Sequence, residues 1–444
     1  MKKDVIIVGA GLAGSLCALY MLRRGYNVSV YEKRADMRTA TITAGRSINL
    51  ALSERGWTAL KKVDAAKHVM DISIPMPKRV MHDVDGNLTD QFYGNQDQAI
   101  YSVPRGGLNV LLINLAEERG AYIFFNHKCV DVSVDAPELA LIDSLKNKEV
   151  KLNCDLIIGA DGAFSAVRAK MMRQDSFQFS EHDIEHGYKE LLIPANNDGT
   201  HKIEKNALHI WPRGNFMLIA LPNLDGSYTC TLFSPYDGED SFNELNTTKK
   251  VNGFFNKVFK DFTPLIPDLA EQFFKNPTSS LGIVKCYPWH IKQHCVLIGD
   301  AAHATVPFYG QGMNASFEDC RVLDELIDES ENNLSLALSK YSNIRKPDGD
   351  GLQDLSLHNF IVMRDKTADP YFLLQKKIEQ KFSQLYPEKW VPLYSMVSFS
   401  NISYSDAWNI GMKQEEIMSQ IMKTPDIHDI WDSNDIMQKM KKML

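Results

Sequence analysis

At 444 residues the chain is too long for one small hydrophobic core, so two or three domains are expected. Its 44% hydrophobic and 24% charged residues fit a globular protein, and a formal net charge of −7 excludes a nucleic-acid surface, which needs clustered excess Lys and Arg. Seven cysteines, at 17, 129, 154, 230, 286, 295 and 320, include no CxxC pair; this odd, scattered set suits reduced thiols in the cytoplasm and argues against disulfides or any metal site.

The chain opens with DVIIV (4–8), a short β-branched strand, and LAGSLCALYMLRRG, a helix closed by glycine. YNVSVYEKR (26–34) is the next strand, completing a βαβ unit. Two lysines before an apolar run mimic a signal peptide, but glycines at fixed offsets indicate mature structure. Those glycines are Gly9, Gly11 and Gly14 in GAGLAG, with Ala13 between the last two. The first permits a tight turn, the second lets backbone approach a pyrophosphate, and the third lets helix and strand pack closely. Glu32 ends the second strand, where it can accept from ribose hydroxyls and repel a 2′-phosphate. A bound dinucleotide is expected, its phosphates at the helix N-terminus.

AGRSINLALSERG (44–56) sets Arg46, Ser47 and Asn49 beside Leu-Ala-Leu, a fixed charge next to a dry wall. CDLIIGADGAFSAVR (154–168) and CVLIGDAAHA (295–304) repeat the grammar of apolar strand, Gly-Asp, then small residues opening a helix. A nicotinamide dehydrogenase usually completes its cofactor domain in one block, whereas these segments are dispersed. Asp300 is placed to accept from a ribityl hydroxyl. The helix starting near Gly312 aims its positive end at an anion, which suits the N1–C2=O edge of a reduced flavin. FAD is therefore expected. Gly310-Gln311-Gly312 lacks a preceding strand and does not make a second nucleotide fold.

Between 180 and 285 the pattern is strand-like, with Asn223-Leu224-Asp225-Gly226 as a hairpin signal. From about 316 onward it is helical. A last helix near 433–443 places Ile436, Met437, Met440 and Leu444 on one core-facing stripe. No apolar run approaches the roughly 18 residues of a membrane span.

GxGxxG with Glu32, Gly159-Ala160-Asp161-Gly162 and Gly299-Asp300 together resemble the single-component flavin aromatic hydroxylases of the p-hydroxybenzoate hydroxylase type. Within that group, GRSINLALSERG, YSVPRGGLN, HIWPRGNFMLIALPN, GDAAHATVPFYGQGMNASFEDC and DLSLHNFIVMR resemble the kynurenine 3-monooxygenase family, to about residue 410. The resemblance implies an α/β fold: a Rossmann-type FAD-binding domain (1–60, 100–170, 286–330), an inserted, mostly antiparallel β-sheet substrate domain (61–99, 171–285), and a C-terminal helical region (331–444).

It also implies site residues. Arg46 to Leu52 would lie along the flavin, Ala51 against it and Arg46 near its polar groups, with Arg105 as a second cofactor-contacting arginine. Tyr31, Glu32, Lys33, Arg34 and Cys129 would bracket the adenosine half, Cys129 equally well as plain core. Asp161 to Ala166 would lie near it through backbone; Asp300, Gly312, Met313 and Asn314 would border the ribityl and ring portions. For the substrate, L-kynurenine, Arg79 would bind the carboxylate, a planar, bidentate match. Tyr93, Asn359 and Tyr394 would be its hydrogen-bonding companions; Phe216 to Leu221 and Pro307-Phe308 would wall the ring. Lys78 is expected to face solvent, and His303 to cap or pack rather than act as a base.

The implied chemistry is reduction of FAD by NADPH, addition of O₂ to give a C4a-hydroperoxide, and hydroxylation ortho to the ring amine, yielding 3-hydroxy-L-kynurenine in tryptophan degradation and de novo NAD synthesis. No catalytic side chain is assigned. NADPH, lacking a domain of its own, would dock transiently. Eukaryotic members carry a C-terminal membrane anchor, whereas KTPDIHDIWDSNDIMQKMKKML is too short and polar to span, implying a bacterial-type enzyme. Another aromatic amino or hydroxy acid as substrate, or a flavin-binding carrier, are the competing readings; Arg79 speaks against the carrier.

Overall fold

The computed structural model describes residues 2–39, 49–93, 98–133, 135–363 and 369–444. Three sequence-distant apolar strands meet in one six-stranded sheet. Asp4–Val8 runs parallel to Asn27–Tyr31 on one side and to Leu156–Gly159 on the other, and Cys295–Leu297 extends the sheet in the same direction. Buried on both faces, Asp4–Val8, Leu156–Gly159 and Cys295–Leu297 read as near-continuous apolar runs rather than alternating ones. Register aligns Val8 with Gly159, and Gly159 with Leu297. All three glycine-bearing turns therefore leave the carboxyl ends of neighbouring strands, where open α/β sheets bind ligands.

A second, seven-stranded sheet takes the order Thr278–Tyr287, Gln178–Ile193, Tyr228–Pro235, Phe216–Pro222, Ala207–Arg213, Lys78–His82, Leu88–Phe92. Every pairing is antiparallel except Ala207–Arg213 with Lys78–His82, which arrives from far earlier in the chain. The Asn223 hairpin closes with Asn223 N–H donating to the Ser227 carbonyl at 2.8 Å. Gly226 has φ +87°, and a Cβ there would meet the Gly199 carbonyl at 2.2 Å, so the turn needs glycine. Residues 61–99 are divided between layers. Val63, Ala65 and Val69 pack in the nucleotide core, Ile74–Met76 joins a small sheet with Asn49–Leu52 and Ile100–Pro104, and only the residues from Lys78 on enter the second sheet.

Helices Leu334–Ile361, Pro370–Leu385, Leu393–Ser398, Tyr404–Ile421 and Asn434–Met443 build the C-terminal region. Ile436, Met437 and Met440 are buried, whereas Leu444, expected on the same stripe, is 42% exposed beyond the helix end. Among the described residues no helix is long and apolar enough to cross a membrane.

A buried ion network joins these helices to the sheet. Glu318 pairs with Arg55 at 3.0 Å and Arg345 at 2.9 Å; Arg345 also binds Asp319 and Asp348, each at 2.8 Å. His303, expected to pack or cap, is in this network, Nε2 lying 2.5 Å from Asp319 Oδ2. Burial pulls the imidazole toward its neutral form, but the Asp319 charge outweighs it and raises its pKa. Arg345→Ala leaves three buried carboxylates undercompensated. It is expected to lower stability by about 3–5 kcal/mol, read from urea or thermal unfolding.

Candidate active site

The first glycine motif has the shape its spacing demands. Gly9 has φ +105°, and a Cβ on it would lie 2.5 Å from the Ala160 carbonyl; one on Gly14 would lie 2.0 Å from the Gly9 carbonyl. A Cβ on Gly11 meets nothing within 4 Å. The open space is where the backbone N–H groups of helix Leu12–Arg23 point, and no side chain caps them. A pyrophosphate fits there. Glu32, buried, accepts from Ala10 N–H at 3.0 Å and Arg34 Nε at 2.8 Å. Burial alone would raise its pKa, but the Arg34 hydrogen bonds hold the carboxyl below the usual range.

Around this end, Tyr31 stacks on Phe124 at 4.8 Å, and Lys33 and Arg34 are exposed. Cys129 is buried, its thiol pushed up to about 12 by that burial, so it packs as a neutral group. Asp161 spends its carboxylate inside the protein, accepting from Ser165 Oγ at 2.5 Å and Ala166 N–H at 2.6 Å. That leaves backbone and the positive-φ Gly162 for any ligand contact.

The second and third motifs close over the same space. A Cβ on Gly299 would come within 3.2 Å of the Ala13 Cβ. Asp300 is exposed, and no partner is seen for its carboxylate among the described residues. Helix Gly312–Glu329 opens without a side-chain cap, Met313 at its start, leaving donors for an anion. Asn314, fully buried, accepts from Ser53 N–H at 2.9 Å and donates to the Ala51 carbonyl at 2.9 Å and the Gly310 carbonyl at 3.1 Å. Its side chain thus holds Ala51 and the helix start together instead of reaching outward. Arg105 is exposed at the start of helix Arg105–Glu118, where its charge opposes the rise that burial imposes on Glu190. Arg46 lies outside the described residues.

Ala51 also belongs to the apolar cluster of Met76, Tyr93, Ile100 and Leu221, which Tyr394 and Phe399 cover. Here Arg79, Tyr93 and Tyr394 come together. Tyr93 and Tyr394 stack at 5.2 Å, and Tyr309 stacks on Tyr394 at 5.7 Å. The Arg79 guanidinium lies 4.1 Å from the Tyr394 ring centre and 5.1 Å from that of Tyr93, and its Nε donates to Tyr93 Oη at 3.2 Å. Among the described residues no carboxylate pairs with it. A largely desolvated cation held by aromatic faces and phenol oxygens, with no opposite charge beside it, can receive an anion. Burial keeps the Tyr93 and Tyr309 phenols protonated by raising both.

Asn359 donates to the Phe308 carbonyl at 2.7 Å, fixing the turn that bears Phe308 and Tyr309. Strand alternation divides the expected aromatic wall. Met217, Ile219 and Leu221 face the site, whereas Phe216, Leu218 and Ala220 pack into the opposite core. Lys78 is not simply solvent-facing: it pairs with Asp90 at 2.8 Å with its side chain 17% exposed. Tyr309 and Phe399 were not singled out by sequence. Tyr309 stands inside the quoted VPFYGQGMN segment, so adjacency to Phe308 was the available signal; Phe399 had none.

The two close glycines separate folding from ligand binding. Gly14→Ala is expected to destabilise the flavin-free protein by about 1–3 kcal/mol, as overpacking does. Gly11→Ala should leave that stability unchanged yet weaken FAD by a similar, roughly 1–3 kcal/mol amount. Unfolding of the flavin-free protein and fluorimetric FAD titration read the two effects apart.

Comparison with known proteins agrees with this geometry. A family model described as an FAD binding domain matches residues 2–354. Kynurenine 3-monooxygenase of Christiangramia forsetii is 48% identical over 443 residues, covering 100% of this chain and 99% of its own. That of Sus scrofa is 43% identical over 423 residues, covering 94% and 88%. A solved tetrameric 2-methyl-3-hydroxypyridine-5-carboxylic acid oxygenase shares the fold at TM-score 0.68 and 20% identity, over 83% of this chain and 94% of that one. A chain whose strand ends, aromatic cluster and full-length likeness all agree in this way belongs to the kynurenine 3-monooxygenase family, FAD-dependent monooxygenases.

Proposed function

We propose that this protein hydroxylates L-kynurenine to 3-hydroxy-L-kynurenine, using FAD, O₂ and NADPH, and that Arg79 anchors the substrate carboxylate. The observation that carries the reading is the Arg79 guanidinium, without a carboxylate partner among the described residues, lying against the Tyr93 and Tyr394 rings beside an apolar cluster that Ala51 joins. FAD, when bound, supplies the chemistry: it accepts reducing equivalents from NADPH and activates O₂ for oxygen transfer to the ring.

The chain's own residues bind, orient and keep water out. Gly9, Gly11 and Gly14 make room for the pyrophosphate, Glu32 accepts from the ribose, and Asp300 accepts from the ribityl chain. Arg46 and Arg105 belong to the same cofactor surface. Arg79 fixes the amino-acid tail of the substrate, and Tyr93, Tyr309 and Tyr394, with raised or stacked phenols, make a slot for a flat ring. Asn359 holds the Phe308 turn against that slot. The ring amine activates the carbon ortho to itself, so no side chain is required as a base. Dryness matters more, because early entry of water diverts the reaction to hydrogen peroxide.

NADPH docks transiently over the flavin, since one nucleotide fold is present in the six-stranded sheet. The expected domain division at 1–60, 100–170 and 286–330 for FAD, 61–99 and 171–285 for substrate, and 331–444 for the helices is supported by sheet membership, apart from residues 61–76, which pack with the nucleotide layer. Seven unpaired cysteines support a reducing, cytoplasmic location.

Arg79→Ala is expected to weaken L-kynurenine by about 2–5 kcal/mol, the cost of losing one member of a desolvated charge pair, with FAD content unchanged. Titrating the flavin absorbance with L-kynurenine measures it. Unaltered affinity, or loss of the flavin, refutes the assignment, as does a wild-type protein whose NADPH oxidation L-kynurenine fails to stimulate.

A further inference from the structure

The strand that presents Arg79 to the aromatic cluster presents His82 from its other face, against an aligned set of polar contacts. Asp261 Oδ2 lies 2.7 Å from His82 Nδ1, His82 Nε2 lies 2.9 Å from His209 Nδ1, and His209 Nε2 lies 2.8 Å from the Glu204 carbonyl. Both rings are buried, at 4% and 1% exposure. Distances this short require a proton in each contact.

The protons can be counted. A carbonyl only accepts, so His209 Nε2 carries hydrogen, and the Nδ1 of a neutral His209 then only accepts. His82 must donate to it through Nε2. A neutral His82 would therefore turn a bare Nδ1 lone pair toward the Asp261 carboxylate at 2.7 Å, which repels. Three contacts need three protons, and two neutral imidazoles supply two.

The place of the third follows from the neighbours. Trp211 Nε1 donates to the same Asp261 oxygen at 2.7 Å, and the Arg213 guanidinium lies 3.6 Å from the other. Both favour an ionised carboxylate. Burial would raise the Asp261 pKa, but the hydrogen bonds from His82 and Trp211 outweigh it. His209, by contrast, is pushed down to about 4 by burial, so it stays neutral. The other groups around the chain are the Lys78–Asp90 pair, Asp83 beyond Arg213, and Tyr228, whose ring edge meets His209 at 5.7 Å with His201 behind it and the Glu204 charge beside its phenol.

We propose that His82 is a buried imidazolium in an Asp261–His82–His209 chain, and that it is a positioning residue for Arg79. The chain ties the Lys78–His82 strand to the adjacent Ala207–Arg213 strand and to Asp261, which follows helix Thr248–Val258. In the sheet its other neighbour is Leu88–Phe92, exposed at all five residues, so its position depends on the Ala207–Arg213 side, where the chain acts together with the Arg213 guanidinium donating to the His82 carbonyl at 2.7 Å. A side chain at this place that cannot donate to both Asp261 and His209 loosens that tie, and binding of the substrate carboxylate then weakens. This consequence rests on the reading of Arg79 as the carboxylate anchor; the proton count does not.

Two measurements test it. Long-range ¹H–¹⁵N correlation spectra of the FAD-loaded protein should show an imidazolium ring that disappears in His82→Gln. It should persist in His209→Gln, whose amide can still accept from His82 and donate to Glu204. Retention of every imidazolium signal in His82→Gln, or loss of the signal in His209→Gln, overturns the assignment, and if His82→Gln fails to fold the His209→Gln result decides. In turnover, His82→Gln should raise the KM for L-kynurenine severalfold while kcat stays close to the wild-type value. An unchanged KM, or a fall in kcat without a rise in KM, overturns the positioning role. The spectra need no substrate, so failure of the kynurenine reading leaves them valid.

Discussion

The Asn314 amide is the joint on which the site depends. Its oxygen takes the Ser53 N–H and its nitrogen serves the carbonyls of Ala51 and Gly310. Those bonds fix a strand near the start of the chain to the N-terminus of a helix more than half the chain away. The helix start leaves its backbone donors without a side-chain cap, and the strand carries the alanine that reaches the aromatic cluster. A buried amide satisfied on both ends locks one geometry, because any shift leaves a desolvated polar atom without a partner. Gly310, in the left-handed region at φ +68° with its would-be Cβ 3.5 Å from Ala51, lets the turn come that close.

Much of the nucleotide half was legible because its physics is local. Gly9, Gly14, Glu32 and the strand ends at Gly159 and Leu297 each answer a steric or hydrogen-bonding demand visible within a few residues. The turn at Gly226 is of the same kind. Arg79, Tyr93, Asn359 and Tyr394 were reached through resemblance: the first, second and fourth meet only because separate stretches pack together, and Asn359 instead holds the neighbouring Phe308 turn. Strand periodicity could have divided Phe216 to Leu221 between two faces, but it cannot say which face meets the site.

The buried ions were not legible at all. Glu318 and Asp319 sit in ASFEDCRVLDELIDE, which reads as an ordinary helix with a charged face, and Arg55 in LSERG reads as a surface residue. Only packing shows that Arg345 turns inward between them. The Asp261–His82–His209 chain was equally hidden, because alternation places His82 and His209 on one face only when the Lys78–His82 and Ala207–Arg213 strands are known to pair.

Arg55 and Arg79 show how one residue type takes opposite roles. Arg55 has no exposed side-chain surface, and each of its nitrogens has a partner: Glu318 pairs with Nη1, and the carbonyls of Val397 and Ile402 accept from Nε and Nη2. Val397 lies in the last turn of helix Leu393–Ser398 and Ile402 just beyond it, so the paired cation fixes the C-terminal end of the element that bears Tyr394. Tyr394 in turn covers Arg79, and an aromatic face attracts a cation without cancelling its charge. Most of the desolvation cost of Arg79 is therefore met in the folded protein, offset by contacts elsewhere, before any ligand arrives. A carboxylate entering beside it gains the attraction with little reorganisation left to supply, which is the condition for tight and well-oriented binding. The neutralised arginine makes the frame, and the frame is what lets the other remain unneutralised.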